Sequence, residues 1–200
     1  MPSIRKFMIP FLASLTLVIP AATADELQDW QTMVSKSVDY LRVRGQADDG
    51  SFSKAAGIGP TGLVTAALLN SGVSPKDPVV AKALNFLEQH VQKNGGIYRA
   101  DSLHRNYDTC IAMVAFAKAG DKARYGKILE RAEAFVKDNQ MDEGEGKDPS
   151  NVDYGGAGYG KHKRPDLSNT SYLVDALRNG IFYGERKLHM KDFKFSFSII

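Results

Sequence analysis

A chain with a single cysteine cannot close a disulfide on itself, and Cys110 is the only cysteine among 200 residues. The ordinary reading of such a residue on a helix is a small buried apolar side chain. A thiolate nucleophile or metal ligand is the sharper alternative. Excess charge of one sign is also scarce. The formal net charge is +3, and two of the positive charges, Arg5 and Lys6, fall in a segment expected to be removed, leaving about +1. The other basic residues are interleaved with acidic ones, so the concentrated basic stripe of a nucleic-acid or anionic-membrane binder is missing. Ser-x-x-Lys, Gly-x-Ser-x-Gly and the phosphate-cradling P-loop are missing too. Past the first twenty residues no apolar run is long enough to cross a bilayer. What is present is ordinary globular chemistry, with 43% apolar and 24% charged residues. That balance excludes wholesale disorder, and the length suffices for one sizeable core.

The N-terminus carries basic Arg5 and Lys6, then an almost wholly apolar run from Met8 to Pro20, then the small residues Ala22-Thr23-Ala24 followed by Asp25 and Glu26. This order is that of a secretory signal peptide over residues 1–24. An uncleaved anchor is the alternative. The mature chain is expected to be exported, periplasmic or secreted, with no stable membrane span once the signal is cleaved.

Residues 25–180 read as three copies of one unit. The first runs from Val38-Asp39-Tyr40-Leu41 through Gln46-Ala47-Asp48-Asp49-Gly50-Ser51-Phe52, then Thr61 to Leu69, and stops at Gly72. The second runs from Leu84-Asn85-Phe86-Leu87 through Gln92 to Tyr98, then Thr109 to Ala117, and stops at Gly120. The third begins at Glu133-Ala134-Phe135-Val136, keeps Gln140 and Gly144, resumes at Thr170 after a longer loop, and stops at Gly180. Each copy is expected to be helix, glycine-containing loop, helix, glycine stop, with the glycines just past the helix ends and Pro75 and Pro78 preventing continuation. The second helix of each copy is apolar around most of its circumference and belongs inside a layer. The first is amphipathic, with Leu84, Leu87 and Val91 on one face, and belongs outside. A single hairpin of this kind cannot bury its apolar helix, so the copies must stack. The fold class is therefore all-α, in repeated helical hairpins.

The spacing Gln-x-x-Asp-Gly-x-aromatic at Gln46 to Phe52, and its echo Gln92-x-x-Gly-Gly-x-Tyr98, resembles the repeat of squalene and oxidosqualene cyclases, over about residues 30 to 180. The resemblance to this terpene-cyclase and protein-prenyltransferase superfamily implies a partial or complete α/α-toroid. A full ring in that superfamily has about six hairpins, so three imply either a half-ring that forms a homodimer or a C-terminally incomplete chain. Residues 181–200 break the pattern. Phe193-Lys194-Phe195-Ser196-Phe197-Ser198-Ile199 alternates with a strand period and reads as an aberrant tail not native to the fold.

The resemblance implies an isoprenoid or other apolar small molecule in a central cavity, but the Asp-x-Asp-Asp motif of class II cyclases is absent. The nearest acids are Asp108 and Asp166, each expected at the mouth of an inner helix. They are the catalytic candidates. A role for Asp108 and Asn169 as helix N-caps is the alternative. The prenyltransferase likeness raises a metal alternative of Asp108, Cys110 and His162; no cofactor is otherwise expected. The pairs His104-x-x-x-Asp108 and His162-x-x-x-Asp166, each with a basic residue directly after the His, either line one rim as a ligand site or are local surface polarity. The loop from Asp142 to Arg164 is long and glycine-rich and offers Tyr154 and Tyr159. It is either a lid whose tyrosines, with His104 and His162, touch substrate, or exposed surface. Three functions stay open: a cyclase- or prenyltransferase-like enzyme, a non-catalytic binding or scaffold module, and a carbohydrate-active enzyme with paired carboxylates.

Overall fold

The computed structural model describes residues 24–160 and 164–183, with the backbone alone at Ala24 and at 180–183. The expected signal peptide up to Thr23, His162 and the alternating stretch near the C-terminus lie outside the described residues. Six α-helices form among those described: α1 Ala24–Tyr40, α2 Gly59–Asn70, α3 Pro78–Glu88, α4 Arg105–Ala119, α5 Lys122–Lys137 and α6 Leu167–Tyr183. No strand forms among the described residues, and the fold is all-α. The helices succeed one another as the pairs α1–α2, α3–α4 and α5–α6. The central helix is α4, packed against α2 on one side and α6 on the other, with α5 also against it. α3 lies mainly on α2, and α5 reaches α6 as well. Leu84 and Leu87 from α3, Met113 and Phe116 from α4, Leu129 and Val136 from α5, and Leu173 and Leu177 from α6 meet in one core.

The helix starts follow from local chemistry. The Asp77 carboxylate accepts from the Val79 backbone N–H at 3.0 Å, and Pro78 follows it at the first helical position. Asp121 caps α5 in the same way, accepting from Arg124 N–H at 3.0 Å. The stops at Gly72 and Gly120 are left-handed, at φ 83° and 76°. After α2 the Gly72 N–H donates to the Leu69 carbonyl and the Val73 N–H to that of Leu68, which satisfies two orphan carbonyls. The expected stop at Gly180 does not occur, because α6 runs through it to Tyr183. Glycine permits a helix end without imposing one. Here Ile181, Phe182 and Tyr183 follow it, with no counterpart of Pro75 or of the capping Asp121.

The turns between paired helices share one geometry. Isolated antiparallel bridges join Gln46 to Phe52, Val91 to Ile97 and Gln140 to Ala157. The N–H groups of Ala47, Gln92 and Met141 donate to the carbonyls of Ser51, Gly96 and Gly156. Gly50, Gly95 and Gly155 take φ of 91°, 93° and 79°. A Cβ at Gly50 would strike the Lys82 carbonyl of α3, and one at Gly95 the Arg131 carbonyl of α5, so each turn sits directly on the following hairpin's first helix.

This register differs from the spacing of the glutamines. Gln46 and Gln140 are equivalent, and their Nε2 groups donate to the Gly50 and Gly155 carbonyls at 3.1 and 2.8 Å. In the second hairpin Val91 takes that place, and Gln92 stands one residue later. The cause is a π turn over Leu41–Gly45, in which the Gln46 N–H donates to the Leu41 carbonyl five residues back. It absorbs one extra residue in the first hairpin, so helices and turns align with different offsets. Gly144 of the third copy is not the turn glycine. It lies in a 3-10 turn, Glu143–Glu145, within the insertion that Gly155 closes.

Candidate functional site

The inner helices α2, α4 and α6 are positioned by three equivalent threonines. Thr61 Oγ1 accepts from Phe52 N–H at 2.9 Å, Thr109 Oγ1 from Ile97 N–H at 2.9 Å and Thr170 Oγ1 from Ala157 N–H at 3.0 Å. Each threonine ties the N-terminal part of an inner helix to the bridge before it. Counting from these residues, the second, fifth and ninth positions of all three helices face one groove: Leu63, Ala66 and Asn70, then Ile111, Val114 and Lys118, then Tyr172, Asp175 and Asn179. Ala67 completes the lining, and the volume is about 340 Å³. The groove is apolar along α2 and α4, with Asn70, Lys118, Asp175 and Asn179 toward the helix C-terminal ends.

A second depression lies at the opposite, N-terminal end of α4. It measures about 290 Å³ and is lined by Ala55 to Gly57, by Arg99, and by Asp101 to His104, with Asp108. Asp108 is 4% exposed. It does not cap α4, which begins three residues earlier with His104 at its N-cap. Its carboxylate accepts from Ser102 Oγ at 2.7 Å and from the Gly59 backbone at the start of α2. Burial pushes the Asp108 carboxyl above its ordinary range, against the opposing pull of Ser102, His104 and the Gly59 N–H. Arg99 and Asp101 pair at 3.0 Å on the outer rim.

His104 and Tyr159 come together as edge-on rings 4.7 Å apart, and Tyr107 links Tyr159 to Tyr172, whose ring lies 4.8 Å away. Burial, reinforced by a hydrogen bond with Tyr172, pushes the Tyr107 hydroxyl up to about 12. The described part of the long loop is anchored to α4: Asn106 donates from Nδ2 to the Gly158 carbonyl at 3.0 Å and from its backbone to the Tyr159 carbonyl at 3.1 Å. Tyr154 goes elsewhere, donating to Glu143 at 3.0 Å.

Asp166 is occupied as the cap of α6. It accepts from the Asn169 backbone at 2.8 Å and from Asn169 Nδ2 at 2.7 Å. Asn169 is therefore inside the helix and is not its cap; its Oδ1 is buried with no hydrogen-bond partner among the described residues. Cys110 is fully buried in the core, donating weakly to Asn106 Oδ1 at 3.9 Å, and burial raises its thiol far above the ordinary range. It turns into the core while Asp108 opens on the recess, so the two do not form part of one ligand set. No group of three metal-ligating side chains occurs among the described residues.

No protein-family model matches the chain. No curated protein matches it either.

Proposed function

We propose that the chain is an exported binding module of the α/α-toroid type that holds an apolar small molecule along α2, α4 and α6. The observation that carries this reading is the groove itself. Equivalent positions of three helices converge on it, its volume is that of a small-ligand site, and its lining joins aliphatic side chains to one aromatic and a polar end. The spacing of Gln46 to Phe52 and its resemblance to cyclase repeats support the same class of ligand. A binding role is preferred to catalysis because Asp108, whose carboxyl burial pushes above its ordinary range, lines the recess and not the groove, and the acid that does line the groove, Asp175, is exposed at its polar end. An acid acting on an apolar substrate must reach the reacting atoms.

Calorimetric titration with farnesol tests the proposal. The expected result is saturable binding that Leu63→Glu weakens at least tenfold while the helical circular dichroism is unchanged, since Leu63 is 39% exposed. Absence of saturation, or equal binding by the variant, would overturn it.

A further inference from the structure

α1 exposes three apolar positions, each of which is buried in at least one of the other two outer helices. Aligned on Tyr40, Phe86 and Phe135, Trp30 takes the place of Tyr125, and Met33 that of Val79. Tyr125 is 2% exposed and stacks on Phe116 of the preceding inner helix at 4.5 Å; Val79 and Phe86 are 2% and 3% exposed. At the same places in α1, Trp30 is 53%, Met33 61% and Tyr40 66% exposed. Among the described residues, the only substantial contact of α1 is with the π turn that follows it. α3 and α5 pack on the inner helices before them, α2 and α4, and an apolar flank left exposed in this way marks an interaction surface.

We infer that the flank is covered by α1 of a second copy of this chain, the two helices running antiparallel about a twofold axis near Met33. Charge decides the arrangement. Asp25 and Asp29 border the flank in the N-terminal half of α1, where Glu26 also lies on it, and Lys36 borders it in the C-terminal half. Antiparallel pairing centred on Met33 sets Asp29 of each copy beside the partner's Lys36, whereas parallel pairing sets like charges together. The twofold makes the patch self-complementary, so the assembly closes at two copies. α6 of the second copy is a poorer acceptor. Ser171 and Arg178 occupy the places that Cys110 and Ala117 hold in α4, and Leu177, the counterpart of Phe116, is already buried.

Sedimentation of the purified chain at tens of micromolar, a range chosen for a weak-to-moderate homodimer, is expected to give a dimer. Trp30→Glu and Met33→Glu are each expected to give monomers with unchanged helical circular dichroism. Mild oxidation of Met33→Cys is expected to yield a covalent dimer, because the two copies meet at the axis. Asp25→Cys is expected to yield none, its copies lying roughly 24 Å apart at the helical rise. Cys110 is buried and does not interfere. A monomeric wild type overturns the inference, as happens if residues 1–23 cover the flank instead. A dimer untouched by Trp30→Glu overturns it by placing the interface elsewhere, and equal cross-linking through both cysteines overturns the antiparallel geometry.

Discussion

Thr109 holds the start of α4 through one hydroxyl that accepts from Ile97 N–H and donates to the Arg105 carbonyl at 2.6 Å, with no exposure to water. Thr109→Val keeps the shape and removes both bonds. The buried Ile97 N–H is left without a partner, and the expected loss is about 1–3 kcal/mol in urea unfolding. Thr32→Val, at an exposed position on α1, should change stability by less than about 0.5 kcal/mol. Equal effects of the two would remove the threonine anchors from the account. Asp108 behaves oppositely to most carboxylates. Its folded-state pKa lies above its unfolded value, so the folded chain binds the extra proton. Stability from this group is greatest below the ordinary carboxylate range and falls as pH rises from there through the folded pKa. Asp108→Asn removes that slope. The unfolding free energy of wild type minus variant should therefore decrease from pH 4 to pH 7, and a difference that is flat or rising would show that burial does not govern this carboxyl. Asp108 was visible in sequence as an acid near a helix mouth. Its role was not, because the helix start sets whether such a residue caps or turns inward, and the N-cap falls at His104.

At the scale of elements, the helices were legible where side chains supply their own boundaries. Pro78, Gly72 and Gly120 each act through local backbone chemistry, and the hairpin order follows from them. The turn register was not legible at the second hairpin, since one residue wound into the π turn at Leu41–Gly45 leaves no compositional mark. Gly180 misled for a related reason: a glycine is a stop only when the residues after it refuse the helix. Two alanine substitutions separate these roles of glycine. Gly95 has φ 93° and faces the Arg131 carbonyl, so Gly95→Ala should cost about 1–3 kcal/mol from strain, with the steric clash adding to it. Gly126 lies inside α5, with its nearest neighbour 3.7 Å from the added methyl, so Gly126→Ala should stabilise by about 0.5–1 kcal/mol. Thermal unfolding of both variants checks the pair, and a stabilised Gly95→Ala would mean that the turn does not rest on α5.

At the scale of the molecule, the groove and the exposed flank of α1 are built from different helices. Among the described residues, the groove takes its lining from α2, α4 and α6, while the flank belongs to α1. The apolar character of the inner helices was evident in sequence, but which of their faces stays open depends on how α4 settles between α2 and α6. Only then do Leu63, Ile111 and Tyr172 line one wall. If the two surfaces act independently, their variants dissociate cleanly. Leu63→Glu should weaken farnesol binding at least tenfold and leave the sedimentation coefficient at the dimer value. Trp30→Glu should give a monomer that still binds farnesol within about twofold of wild type, because mutations at distant sites without shared partners act separately. Titration and sedimentation of the two variants and their double mutant provide the check. A monomeric Trp30→Glu that has also lost the ligand would mean that the groove is completed across the twofold, and the binding unit would then be the dimer and not the single chain.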